Sequence, residues 1–86
     1  MSYEVVFSAR AIKDLRSIAK MYQSRIIDRA ESLSKDPHPT GSIKLKGIVE
    51  ELWRVRVGDY RILYRIDDTI RIVDIRRIGH RKDIYD

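Results

Sequence analysis

The stretch from Leu52 to Arg65, LWRVRVGDYRILYR, constrains the fold more than any other part of the chain. Branched and aromatic residues alternate with arginines on both sides of Gly58-Asp59, a dipeptide suited to a tight hairpin turn. Closing the hairpin there sets Val57 opposite Tyr60, Arg56 opposite Arg61, Val55 opposite Ile62 and Trp53 opposite Tyr64. Because side chains alternate across a strand, Trp53, Val55, Val57, Tyr60, Ile62 and Tyr64 then share one face. Leu52, Arg54, Arg56, Arg61, Leu63 and Arg65 share the other. One face reads as core and the other as a cationic surface. Like charges directly opposite one another destabilise an antiparallel pair by roughly 0.2–1 kcal/mol, so facing Arg56 and Arg61 imply an anionic ligand.

The rest of the chain supplies what such a hairpin needs to fold. Tyr3 to Phe7 is a short strand-like run, and Ser8 offers a helix N-cap. From Ala9, the residues Ile12, Leu15, Ala19 and Tyr22 form an amphipathic stripe that predicts a first helix to about Lys20. After Gln23-Ser24 a second stripe of Ile26 or Ile27, Ala30 and Leu33 runs to Pro37, so two helices or one kinked helix both fit. Pro37 to Ser42 is loop, and Ile43 to Gly47 (IKLKG) reads either as its extension or as a small edge strand. Ile66-Asp67-Asp68-Thr69 marks a second reversal, followed by a strand from Thr69 to Ile78. With Ile66 facing Thr69, Leu63 faces Ile72, Ile62 faces Val73, and Arg61 faces Asp74, which would orient it. Leu63, Ile70 and Ile72 would then form an apolar patch for the terminal segment, with Ile84 and Tyr85, to cover. The expected fold is α+β: an N-terminal strand and two helices on a mainly antiparallel sheet with a three-strand meander, closed by a short C-terminal helix.

At 86 residues the chain is read as one domain spanning 1–86. It contains no cysteine, which removes disulfides and thiolate chemistry and fits a reducing cytoplasm. Its N-terminus has no basic head with a long apolar run, and no segment reaches membrane-spanning length, so a soluble cytoplasmic protein is expected. The net charge of +5 favours a polyanionic partner. From Arg54 to the end the basic residues are almost all arginine, the side chain that forks onto phosphate.

Several residues have types suited to phosphate chemistry. Arg54, Arg56, Arg61 and Arg81 supply permanently charged forks, while helical cations such as Arg10, Lys13, Arg16 and Lys20 read as ordinary solvent-facing charge. His80 follows Gly79 and could exchange protons near neutral pH, or be only a helix-capping or surface imidazole. His38, between two prolines, reads as a loop residue. Tyr85 is a candidate general base, since neighbouring arginines would favour its phenolate. There is no glycine-rich phosphate loop, serine nucleophile motif or metal-spaced ligand cluster, so metal-free chemistry without a cofactor is expected. RNA suits this repertoire because it carries its own nucleophile, the 2′-hydroxyl.

The opening YEVVFSARAIKDLRSI, the connector KLKG, the hairpin WRVRVGDYRILYRI and the closing IRRIGHRKDIYD together make the chain resemble toxins of the RelE/ParE superfamily. Within it the resemblance is to the RelE-like mRNA interferases. It implies an endoribonuclease that cuts mRNA in the ribosomal A site and leaves a 2′,3′-cyclic phosphate. It also implies site roles. Arg54 and Arg56 match family positions that hold the RNA backbone and assist activation; both are arginine rather than lysine, which argues against a strand residue as base. Arg61 matches the arginine that stabilises the transition state, and Arg81 the one that supports or protonates the leaving group. Tyr85 matches a terminal tyrosine that stacks on a base or accepts the proton, and His80 matches a histidine of some relatives. The catalytic set is therefore Arg56, Arg61, His80, Arg81 and Tyr85, with Lys44, Lys46, Arg54, Arg65 and Arg76 expected to bind RNA. The partners implied are a RelB-like antitoxin, the ribosome and mRNA, with operator DNA reached only through the antitoxin complex and no membrane. Two readings compete: a ParE-like inhibitor of DNA gyrase without nuclease activity, and a non-catalytic RNA-binding module.

Overall fold

A computed structural model describes residues 2–46 and 51–84. Two helices, α1 (Ala9–Arg16) and α2 (Lys20–Ser32), pack on one face of a five-stranded sheet. The strands are β1 (Glu4–Phe7), β2 (Ile43–Lys44), β3 (Trp53–Val57), β4 (Tyr60–Asp67) and β5 (Ile72–His80), in the spatial order β1-β5-β4-β3-β2. Among the described strands only the β1–β5 pair is parallel. The long connection that this parallel pair requires runs through both helices and the strands β2 to β4. The β3–β4 hairpin has the expected register throughout, with Gly58 at φ 57 providing the left-handed turn residue.

The alternation puts Val55, Ile62 and Tyr64 on the helix side, where they meet Val73, Ile75, Ile78 and the helical residues Ala11, Ile18, Ile26, Ala30 and Leu33. Burying each of the larger aliphatic chains contributes roughly 1.5–3 kcal/mol. Trp53, Val57 and Tyr60 pack around this core half-buried. A second, smaller cluster of Leu45, Leu52, Leu63 and Ile84 lies on the opposite face.

Three expectations are corrected. The break between helices falls at Ser17–Ala19, not at Gln23-Ser24: Ala19 takes an extended conformation (ψ 140), and Gln23 lies within α2. The Gln23 side chain donates to the carbonyls of Leu15 and Ile18, satisfying the frayed end of α1 that no further turn can reach. Second, the β4–β5 register differs. Asp67 pairs with Ile72, Ile66 with Val73 and Arg65 with Asp74, because Asp67 accepts from the N–H groups of Thr69 and Ile70 and holds a longer loop. Asp74 therefore lies beside Arg65 and bonds Arg76, and Arg61 instead faces Gly79. Third, the described part of the tail is a turn, with Asp83 and Ile84 N–H both donating to the His80 carbonyl, rather than a helix. Ile84 does cover Leu63, but Ile70 stays 63% exposed and the remaining cover comes from Leu45 and Leu52.

The edge of β5 beyond β1 is closed by α1. Ser8 caps α1 by accepting from Ala11 N–H, and its hydroxyl donates to the Arg76 carbonyl. Asp14, one turn further on, accepts from Ile78 N–H (3.0 Å) and from Arg77 Nε (2.9 Å). These bonds stand in for the strand partner that β5 lacks after Ile75.

Candidate functional site

Arg56 and Arg61 face one another across β3 and β4. Leu52 carbonyl accepts from Leu45 N–H, so the backbone groups of Leu52, Arg54 and Arg56 point away from β4, and the Arg56–Arg61 pair is of the closer, non-hydrogen-bonded kind. Such pairs bring Cα atoms within about 4.5 Å and side chains closer still. On the next strand Gly79 sits opposite Arg61, and Arg81 N–H donates to the Asp59 carbonyl at 2.8 Å, extending the ladder to the hairpin turn. Alternation from His80 puts Arg81 on the side of Arg61 and Gly79. The Arg81 guanidinium lies 3.9 Å from the Asp59 carboxylate, a loose and exposed pair. Arg56, Arg61 and Arg81 are thus brought to one end of one face by backbone pairing alone.

Gly79 is there for a packing reason. A Cβ at this position would lie 2.7 Å from Cδ1 and 2.9 Å from Cγ1 of Ile84. The missing side chain lets Ile84 settle on the strand beside Arg61, and Tyr85 follows Ile84 in the chain. Tyr85 itself lies outside the described residues.

The other expected site residues are distributed differently. His80 pairs with Tyr60, so its ring is on the helix side, packed edge-on against the Tyr60 ring with centroids 5.6 Å apart. Tyr60 in turn meets Tyr22 of α2 at 5.3 Å, and His80 Nδ1 accepts from Lys82 N–H. The sheet therefore stands between this imidazole and Arg61. Arg54 is on the expected face but only 2% exposed, at the floor of a cleft rather than on the surface. Lys44 pairs with Trp53, which turns it to the helix side, where it is bridged to Glu51 at 3.3 Å. Lys46 is exposed beyond β2. Arg65 lies four residues along β4 from Arg61, about 13 Å away at the usual strand rise. Arg76 is near Arg65 and bridged to Asp74 at 3.2 Å. His38 packs on Trp53 at 4.4 Å, far from any role with the tail.

Two arginines that sequence reasoning missed come into view here. Arg25 and Arg29, four apart on α2, line clefts that they share with Arg56 at the open end of β3. Their i, i+4 spacing was the available signal, but nothing in it says which way that helical face points. Among the described residues, no three His, Asp or Glu side chains are gathered as a metal ion would require.

The electrostatics separate framework from surface. Burial raises the Asp14 carboxyl, but hydrogen bonds from Ile78 N–H and Arg77, with Arg10 at the surface, outweigh it and hold the pKa below the usual carboxylate value. Burial pushes the Tyr64 phenol up to about 12, with Ser42 and Arg29 acting in the opposite sense. Tyr64 donates to the Pro37 carbonyl at 2.8 Å and pins the proline-rich loop to the sheet. Neither group is free for chemistry.

Residues 5–85 match the family model described as the ParE toxin of the type II toxin-antitoxin system parDE. The chain belongs to this toxin family. It is a RelE-like member of the RelE/ParE superfamily, as its relatives show. Toxin RelG of Mycobacterium tuberculosis is 36% identical over 86 residues, covering 99% of this chain and 98% of RelG. The toxin chain in the RelBE2 toxin-antitoxin complex of the same organism superposes with a TM-score of 0.84 at 31% identity, covering 93% of this chain and 99% of that one. The archaeal RelE of a RelE–RelB complex from Pyrococcus horikoshii gives 0.80 at 28% identity, covering 98% and 100%. The fold is therefore a RelE-type α+β fold, and among the described residues no helix of this toxin is long and apolar enough to cross a membrane.

Proposed function

We propose that this toxin is an endoribonuclease that cleaves mRNA in the ribosomal A site. The reading is carried by one observation: β3, β4 and the end of β5 bring Arg56, Arg61 and Arg81 to the same end of one face. In the reaction a base removes the proton from a 2′-hydroxyl, O2′ attacks the adjoining phosphorus, and the bond to the 5′ oxygen breaks. The products are a 2′,3′-cyclic phosphate and a 5′-hydroxyl. Arg61 stabilises the charge developing on the non-bridging oxygens, as a preorganised fork does best where water is partly excluded. Arg56 holds the backbone from the facing strand, with Arg54 beneath it. Arg81 supports the departing 5′ oxygen, which takes its proton from water.

Arginine stays protonated in proteins, so none of the three serves as base. Between the two candidates, the role falls to Tyr85. The His80 ring is on the helix side against Tyr60, whereas Ile84, which precedes Tyr85, rests on Gly79 beside Arg61. A phenol near several guanidinium groups is biased toward phenolate. A RelB-like antitoxin, of the kind present in the RelBE structures, would hold the toxin inactive, and the ribosomal target places the active protein in the cytoplasm. Operator DNA would be met only through the toxin-antitoxin pair.

The test is a translating-ribosome assay with defined mRNA. Cleavage in the A site with a 2′,3′-cyclic end, lost in Arg61→Ala and Tyr85→Phe and retained in His80→Gln, is expected. Intact mRNA with stalled DNA gyrase would replace this reading by gyrase inhibition, and salt-sensitive RNA binding without product would reduce it to an RNA-binding module.

A further inference from the structure

We infer that a cationic cleft around the free end of β3, formed by Arg25 and Arg29 of α2 with Arg56, binds the phosphate backbone of the RNA strand where it runs on from the cleavage site. The inference rests on the proposed RNA substrate, and it extends the site from one face of the sheet, around its edge, to the helix layer.

The edge is open because β2 is short. It pairs only with Trp53 and Arg54, so among the described residues the edge of β3 turned away from β4 has no strand partner from Val55 to Val57. Two clefts of about 440 and 500 Å³ adjoin there, and both are lined by Arg29 and Arg56. Arg25 joins the second, one helical turn from Arg29, which is a rise of about 6 Å. Gly41 and Gly58 lie along the rim, where even a Cβ would meet nothing within 4 Å, so the approach is unobstructed.

The charge balance of the cleft favours an anion. Arg10 and Arg77 are bridged to Asp14, Arg76 to Asp74 and Arg81 to Asp59. Among the described residues Arg25, Arg29 and Arg56 form no ion pair, although Asp28 lines the same cleft. Three guanidinium groups against one carboxylate in a concave site leave a net positive potential there and draw in an anion. Arg56 faces Arg61 on the sheet, so the cleft is continuous with the proposed reaction site.

The occupant is nucleic acid rather than an added peptide strand. Of the unpaired segment, only Arg56 points its backbone N–H and C=O outward before the chain turns at Gly58. A single residue cannot start a ladder of the kind that peptide strands use to bind sheet edges. One backbone donor flanked by guanidinium forks suits phosphate oxygens.

The test uses the double variant Arg25→Gln/Arg29→Gln, since glutamine keeps helix propensity and much of the side-chain length, with Arg25 exposed and Arg29 half-buried. Binding of fully 2′-O-methylated, and therefore uncleavable, RNA is measured over a salt series, with a trinucleotide and with a longer single strand. For the longer strand the slope of log K against log salt should become shallower by about 1.4, the loss of two phosphate contacts at roughly 0.7 each. Trinucleotide binding and the melting temperature should stay unchanged. An unchanged slope, an equal loss with the trinucleotide, or no measurable RNA binding by the wild type would overturn the inference. So would a variant that loses affinity for its antitoxin but keeps its RNA slope. The measurement needs no catalysis, so a protein that leaves mRNA intact on the ribosome but shows the slope change refutes the nuclease and keeps the cleft.

Discussion

Gly79→Ala isolates the contact that joins the tail to the sheet. Gly79 has no left-handed φ, so alanine brings no backbone strain, and the atoms nearest the added methyl group all belong to Ile84, the closest at 2.7 and 2.9 Å. Overpacking of this kind costs about 1–3 kcal/mol. The tail can instead lift away, which caps the loss at the value of burying one isoleucine, roughly 1.5–3 kcal/mol. Against this, replacing glycine restricts the unfolded chain and returns about 0.4–1 kcal/mol, leaving a net destabilisation on the order of 1–2 kcal/mol. The Ile84→Ala background removes Cδ1 and Cγ1 but keeps Cβ, which would sit at an ordinary 3.8 Å. There Gly79→Ala should be neutral or stabilising. Urea unfolding of the four proteins in this cycle should therefore give a coupling of about 1–3 kcal/mol. A Gly79→Ala penalty equal in both backgrounds would show that Ile84 does not rest on this glycine, and the placing of the tail beside Arg61 would fall with it.

Asp14→Ala removes the acceptor for Ile78 N–H and the partner of Arg77, and should destabilise by about 1–3 kcal/mol in the same unfolding assay. Because the Asp14 pKa is lowered on folding, its contribution is complete above the ordinary carboxylate value of about 3.9 and is lost as pH falls through the folded value; Asp14→Asn should flatten that acid limb in melting scans. Tyr64→Phe leaves the Pro37 carbonyl without its donor and should cost about 0.5–1.5 kcal/mol. With its phenol at about 12, Tyr64 stabilises the fold fully below the ordinary tyrosine pKa and loses that contribution as pH rises through the folded value, so ultraviolet titration should show one of the five tyrosines ionising only near that value. A full complement ionising near pH 10 would contradict the burial assigned to it.

The β3–β4 hairpin was legible because three signals agree there: period-two alternation, a turn dipeptide with a glycine at positive φ, and branched residues on one face. Ser8 was legible as a cap for the same kind of reason. The helix break was not, since Ala19 carries no breaking signal and the bonds that stabilise the break come from Gln23, a residue read as a separator. The β4–β5 loop was misjudged because its shape depends on Asp67 bonding two backbone N–H groups and on Arg71 at φ 55, a conformation that arginine seldom announces. Arg54 and Lys44 show a further limit. Alternation assigns a face, but it does not say that Arg54 is buried on it, nor that the edge strand turns Lys44 to the other side.

The same logic explains why His80 could not be placed from sequence. Tyr64 pairs with Ile75, but Leu63 pairs with Arg77, so β5 carries one extra residue at this step. Before the bulge the odd-numbered Val73 and Ile75 face the helices; after it the even-numbered Ile78 does. An unbroken strand would have put Gly79 on the helix side and the His80 imidazole among the arginines, where it would be the natural base. The inserted residue turns over the segment from Ile78 to His80, sends the imidazole to Tyr60 and presents to Arg61 the glycine on which Ile84 rests. The bulge is held from outside the sheet, by Ser8 on the Arg76 carbonyl and Asp14 on Ile78 N–H. α1 thus helps to turn His80 toward the helices and Gly79, with Ile84 on it, toward the face of the arginines.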